Sequence, residues 1–215
     1  MRGLLEKDFR IVGKRKMIFI VALIIAVFFS FNSKDPSLIM GYLTFMVTLV
    51  GLSTLSYDEF DNGYSFLFTL PITRKLYVVE KYLFSVLLGV MSIVAGIVIL
   101  FIGQSIVGND FQLPQYLSVM LQILTFLCIL SSVMIPTQLK FGQERSRMVL
   151  FLITGVFMAL IFILSSYAQN ILEVIGENLL KVPSGVIIAA EVVLMAAFML
   201  ISMFISIRIM EKKEF

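Results

Sequence analysis

Histidine is absent from the 215 residues, and cysteine occurs once, as Cys128 inside an apolar stretch. The first absence excludes acid–base catalysis by imidazole. The second excludes any disulfide within the chain, and together they leave almost no donors for a metal site of the His or Cys type. Charge is scarce as well, with 14% Asp, Glu, Lys and Arg where a soluble domain carries roughly 25%. A phosphate cradle of the form Gly-x-x-x-x-Gly-Lys-[Ser/Thr] is also missing. The only Gly-Lys, Gly13-Lys14, lacks the upstream glycine and the following hydroxyl, so the chain does not bind ATP through a P-loop. The net charge of +3 does not point to nucleic acid, because the basic residues form no stripe with interleaved aromatics.

What the chain has is apolar length. It is 60% hydrophobic, and six segments approach the roughly 20 residues that a helix needs to cross hydrocarbon. They lie at about 16–32, 37–56, 76–103, 116–137, 148–168 and 185–208, which predicts an all-α integral membrane protein forming a single domain over residues 1–215. The first segment is short and follows a basic flank, as in a signal peptide. It lacks a small-residue cleavage pattern, and the preceding MRGLLEKDFRIVGKRK carries acids and its own apolar periodicity, so it reads as a span.

Orientation follows from Lys and Arg. With the N-terminus inside, Arg2, Lys7, Arg10, Lys14, Arg15, Lys16, Arg74, Lys75, Lys81, Lys140, Arg145, Arg147, Arg208, Lys212 and Lys213 fall on the cytoplasmic side, and only Lys34 and Lys181 fall outside. Both termini are therefore expected in the cytoplasm and the protein in the cell membrane, as a multi-pass chain. Leu4, Leu5, Phe9 and Val12 recur near helical spacing, which predicts an interfacial helix over residues 1–15; a basic tail that only sets topology is the other reading. A short amphipathic outer element, re-entrant or interfacial, is expected in 168–185, where Ile171, Leu172, Val174, Ile175, Leu179 and Leu180 recur; a simple surface loop is the other reading.

Few residues inside the spans carry chemistry. Glu80 and Lys81 read as interfacial, snorkelling groups at the inner end of the third span. Glu191 lies about one and a half turns into the sixth span from the outside and either lines an outer vestibule or pairs with Lys181. Ser85, Gly89, Ser92, Gly96 and Gly103 share one face of the third span and suggest a helix-packing seam, a substrate surface being the second reading. Gly41, Thr44, Thr48 and Gly51 in the second span, and Ser118, Gln122, Thr125 and Ser132 in the fourth, form weaker polar stripes. These stripes serve either interhelical hydrogen bonds or a mildly polar conduit, for which Thr44, Thr48, Gln122, Thr125 and Glu191 are the candidates.

The stretch YDEFDNGYSFLFTLPITRK, residues 57–75, is of another kind. It combines Asp58, Glu59 and Asp61 with a turn at Asp61-Asn62-Gly63, a short apolar run, Pro71 and the basic pair Arg74-Lys75. Such a piece either rests on the inner leaflet or inserts into a groove of a partner. The extended passage YDEFDNGYSFLFTLPITRKLYVVEKYL resembles the signature of ABC-2 type transporter permeases: an acidic pair after the second span, a leucine-proline, a basic pair, then Val-x-x-Lys-Tyr-Leu. Pro71, Arg74, Lys75, Val78 or Val79, Lys81, Tyr82 and Leu83 match it in order. The overall layout is similar to the permease subunits of cytolytic-peptide exporters of the phenol-soluble modulin type.

The resemblance implies that residues 57–75 are a coupling loop docking on a separate ABC ATPase through Tyr57, Asp58, Glu59, Phe60, Asp61, Leu70, Pro71 and Arg74. Gln143, Glu144 and Arg145 of the second cytoplasmic loop would add a second contact. It further implies two ATPase copies, a second permease copy that is identical or homologous, and ATP and Mg in the partner, with no cofactor or catalytic residue in this chain. It implies outward transport as well, and the cargo is expected to be amphipathic peptide or lipid-like, because the spans carry almost no fixed charge. A non-transporting membrane scaffold or immunity protein is the alternative; a membrane-embedded enzyme fits least.

Overall fold

In hydrocarbon every backbone N–H and C=O needs a partner within its own segment, and the α-helix is the local way to supply one. A computed structural model, describing residues 1–32, 36–60, 63–107, 113–167 and 183–213, has helices throughout and no strand among those residues. The elements are α1 (Arg2–Gly13), α2 (Lys16–Asn32), α3 (Pro36–Glu59), α4 (Gly63–Leu67), α5 (Arg74–Val107), α6 (Leu113–Tyr167) and α7 (Ser184–Lys212). Four stretches are long and apolar enough to cross a membrane: Ser37–Glu59, Arg74–Ile106, Tyr116–Val149 and Gly185–Lys212. The first and fifth expected spans coincide with two shorter apolar helices, Lys16–Ser30 and Phe151–Leu160. Residues 168–182 of the outer element expected before the last span fall outside the described residues.

One glycine divides α6. Gly142 has φ 79° and ψ 176°, a region open in practice only to glycine, and the helix resumes beyond it as a second arm. Pro136 lies in the first arm, where its missing N–H leaves the Ser132 carbonyl without its helical donor. Ser202 of α7 donates its hydroxyl to that carbonyl. The same hydroxyl lies 2.6 Å from Tyr82 Oη of α5, which is 2.8 Å from Ser206 Oγ, so the proline's unmet need joins three helices.

Small residues of α5 let its neighbours approach. Ser85 Oγ is 2.6 Å from Ser131 Oγ, and a Cβ added at Gly89 would overlap Leu127, both in the first arm of α6. Ser92 donates to Thr44 Oγ1 of α3 at 3.0 Å, Gly96 faces Met40 of α3, and Gly103 abuts Ser30 of α2. The second arm of α6 and most of α7 leave apolar side chains outward, with Phe151, Phe162 and Leu194 each at least 70% exposed.

α1 does not merely lie on a surface. Leu4, Asp8 and Val12, spaced by four, form its buried face against α3 and α5. The reading of Glu80 and Lys81 as snorkelling interfacial groups is therefore corrected: they are 0% and 2% exposed. α1 folds over that end of α5 and withdraws both from solvent, and Asp8 supplies a counter-charge for the lysine.

Candidate functional site

The helix ends around α1, α4 and the root of α5 carry the densest polar chemistry. Lys81 of α5 reaches Asp8 of α1 and lies 2.8 Å from Asp58 Oδ2 of α3. Lys7 pairs with the other oxygen of Asp58 and lies 3.2 Å from Asp8 Oδ1. Tyr77 donates to Asp58 at 3.0 Å, and Thr54 donates to Asp8 at 3.3 Å. Two lysines balance two aspartates, so the burial cost of each charge is offset by close partners and hydrogen bonds. Glu80 is the exception: neither carboxylate oxygen has a hydrogen bond, and Lys81 stands 4.0 Å away.

The sequence reading placed Asp58 in an exposed coupling loop. The structure puts it in the last turn of α3, 6% exposed, because α3 continues through Glu59. Asp8, Thr54 and Tyr77 were not singled out in the sequence. Asp8 alone had a signal, standing one turn from Leu4 and from Val12 on an otherwise apolar face.

α4 is a short helix with two different sides. Tyr64 and Leu67 are buried in a core with Leu4, Tyr77, Leu139 and Met210, and the Tyr64 ring meets Tyr77 edge-on at 5.9 Å. Burial pushes the Tyr64 phenol well above the usual tyrosine range, keeping it protonated. Phe66 of the same helix is 73% exposed, and Phe60 before it and Leu70 after it are 72% and 46% exposed. Pro71 is exposed beside them, and Thr73 Oγ1 accepts the Leu76 N–H at 3.2 Å as the start of α5. Asp61 lies outside the described residues.

Two further elements converge here. Arg74 donates to the carbonyls of Met210, Glu211 and Lys213 at 2.7–2.9 Å, capping the C-terminal end of α7, where unmet carbonyls and the helix dipole favour a cation. Arg74 is thus engaged within the fold. Lys213 returns to Glu59 at 3.5 Å, donates to the Leu139 carbonyl at 3.1 Å and sits 4.8 Å over the Tyr64 ring. A Cβ at Gly142 would lie 3.3 Å from Glu59 Oε1, so Glu59 touches the turn dividing α6. Beyond that turn Gln143 is half-buried, while Glu144 and Arg145 are exposed. Tyr57 is exposed and accepts a hydrogen bond from Arg15 at 3.0 Å.

The conduit candidates do not gather at one place. Thr44 and Thr48 are buried in helix packing, Thr48 donating to the Thr44 carbonyl at 2.6 Å. Gln122 is exposed, and Thr125 donates to Glu191 Oε1 at 2.9 Å between α6 and α7. A cleft of about 530 Å³ opens between α2, α3 and both arms of α6, lined by Arg15, Phe45, Ser53, Gln138 and Arg147 among others. No group of His, Cys, Asp or Glu side chains able to hold a metal occurs among the described residues.

No curated protein and no solved structure matches the chain. Residues 3–211 match the family described as ABC-2 family transporter protein, almost the entire chain, and the protein therefore belongs to the ABC-2 family of transporter membrane proteins.

Proposed function

We propose that the chain is the permease subunit of an ATP-driven exporter that moves amphipathic peptides or lipid-like substrates out of the cell. Family membership implies a separate ABC ATPase as partner and a membrane setting. The observation that carries the rest is α4: its inner side is anchored by Tyr64 and Leu67, and Phe60, Phe66 and Leu70 beside it present an apolar outer surface. A polar exposed loop would need no such anchor, whereas an apolar patch standing on a rigid base is suited to docking.

In this reading the ATPase seats on that surface and on exposed Glu144 and Arg145, at the cytoplasmic end of the bundle. Force applied to α4 reaches α5 through the Tyr64–Tyr77 contact and the Gly142 turn through Glu59. The ion cluster makes α1, α3 and α5 move as one piece. Two ATPases with ATP and Mg, and a second permease copy, complete the machine, and nucleotide chemistry stays in the partner.

The test is co-purification of the ATPase from native membranes with the intact chain and with a Phe60→Ser, Phe66→Ser variant. Loss of the ATPase from a variant with unchanged melting temperature supports the docking assignment. No ATPase with the intact chain would favour the scaffold reading. Asp58→Arg is unsuitable here, because it adds a buried third cation beside Lys7 and Lys81 and removes their carboxylate.

A further inference from the structure

A basic pocket of about 450 Å³ lies between the end of the first arm of α6 and the end of α7. Its polar wall is Lys140, Arg208, Lys212 and Lys213, and its apolar floor is Leu139, Ile205 and Ile209. Lys213 is compensated by Glu59 at 3.5 Å. Lys140, Arg208 and Lys212 have no carboxylate within 4.0 Å among the described residues; the nearby Glu211 turns to Lys75 at 3.6 Å. Lys140 and Arg208 lie over aromatic faces, Phe141 at 5.0 Å and Phe204 at 4.4 Å. Among the described residues no acid lines the pocket, so three positive charges converge there with no carboxylate beside them.

The surface leading to those charges is a track. Leu194, Phe198, Ile201 and Ile205 alternate by four and three residues along α7 and are 70%, 46%, 61% and 47% exposed. Arg208 and Lys212 continue the same spacing, so one helix face passes from apolar to basic within two turns. We propose that this face binds an acidic phospholipid, its acyl chain along the apolar track and its phosphate among Lys140, Arg208 and Lys212. Basic pockets between membrane helices suit such headgroups, and a guanidinium offers phosphate a paired donor geometry. A soluble acidic patch on a protein partner would satisfy the cations but leave the track above them uncovered. A second copy of the chain, packed symmetrically on this face, would bring like charges together. The assignment does not depend on the export reading.

The full chain in mild detergent is titrated with phosphatidylglycerol and with phosphatidylcholine, and bound lipid is counted by native mass spectrometry. The first phosphatidylglycerol is expected to bind about ten-fold tighter than phosphatidylcholine. A Lys140→Gln, Arg208→Gln, Lys212→Gln variant loses that preference, and an Arg2→Gln, Lys14→Gln, Lys16→Gln variant with the same charge change keeps it. Equal affinities in the intact chain, or equal loss in both variants, would overturn the assignment. So would displacement of the lipid by glycerol phosphate at millimolar concentration, which would mark a site for soluble phosphate. A preference absent from dimeric species would show that a second copy covers the face instead, and a pocket variant that loses the ATPase in lipid-free detergent would give the pocket to the protein partner.

Discussion

Lys81→Met tests whether the buried ion cluster holds the helix ends together. The lysine side chain is 1% exposed and contacts two carboxylates that are 0% and 5% exposed, so its removal leaves two buried negative charges with only Lys7 between them. Removing one partner of a buried pair costs about 3–5 kcal/mol. For a chain of this size each kcal/mol lowers the melting temperature by roughly 2–4 °C, so a fall on the order of 6–20 °C is expected. Cys128, the single cysteine and buried, supplies the assay: a thiol-reactive fluorogenic dye reports melting as the sulfur becomes accessible. A second variant, Asp8→Asn, Asp58→Asn, Lys81→Met, removes both acids with the base and is expected to recover part of the loss, since the two buried carboxylates that Lys81 balanced are gone and Lys7, 31% exposed, is left facing solvent. A fall below about 2 °C in the single variant, or no recovery in the triple, would refute the charge-pairing account.

The same assay checks three other expectations. Glu80→Gln keeps the shape of a side chain whose two oxygens have no hydrogen bond, so the melting temperature is expected to hold or rise; a fall beyond about 4 °C, about 1–2 kcal/mol, would show that the charge is needed. Gly89→Val drives side-chain atoms into Leu127 and is expected to cost about 1–3 kcal/mol, partly recovered by Leu127→Ala; absence of that recovery would remove the contact as the cause. Gly142→Ala forces an L residue into φ 79°, ψ 176° against the Glu59 carboxylate, with an expected cost of about 1–3 kcal/mol; an unchanged melting temperature would mean that the turn relaxes freely.

The helices were legible because apolar runs of membrane-crossing length leave a chain little else to form. The charge cluster was not. Asp8 and Lys81 are separated by 73 positions, and nothing in a linear pattern says that α1 will fold over the root of α5. Read alone, a lysine near the end of a span is a snorkelling lysine. The one usable sign was Asp8 standing on the face of Leu4 and Val12, which a purely apolar scan discards. Residues 57–75 divide differently from their pattern. The acids looked like loop, yet α3 carries Asp58 inward, and Arg74 serves the end of α7. Pro136 was visible in the fourth segment, but its partner Ser202 is set by the packing of α7, which no local spacing records.

Gly142 also sets a lever ratio. The arm beyond it spans residues 143–167, about 37 Å at 1.5 Å per residue, and its described side chains from Phe151 to Ile163 face outward. A rotation of roughly 10° about the glycine backbone would carry the far tip through about 6 Å, more than one helical turn. Small displacements beside Glu59 at one surface of the bundle would thus be magnified at the other, with all of the bending confined to a single residue.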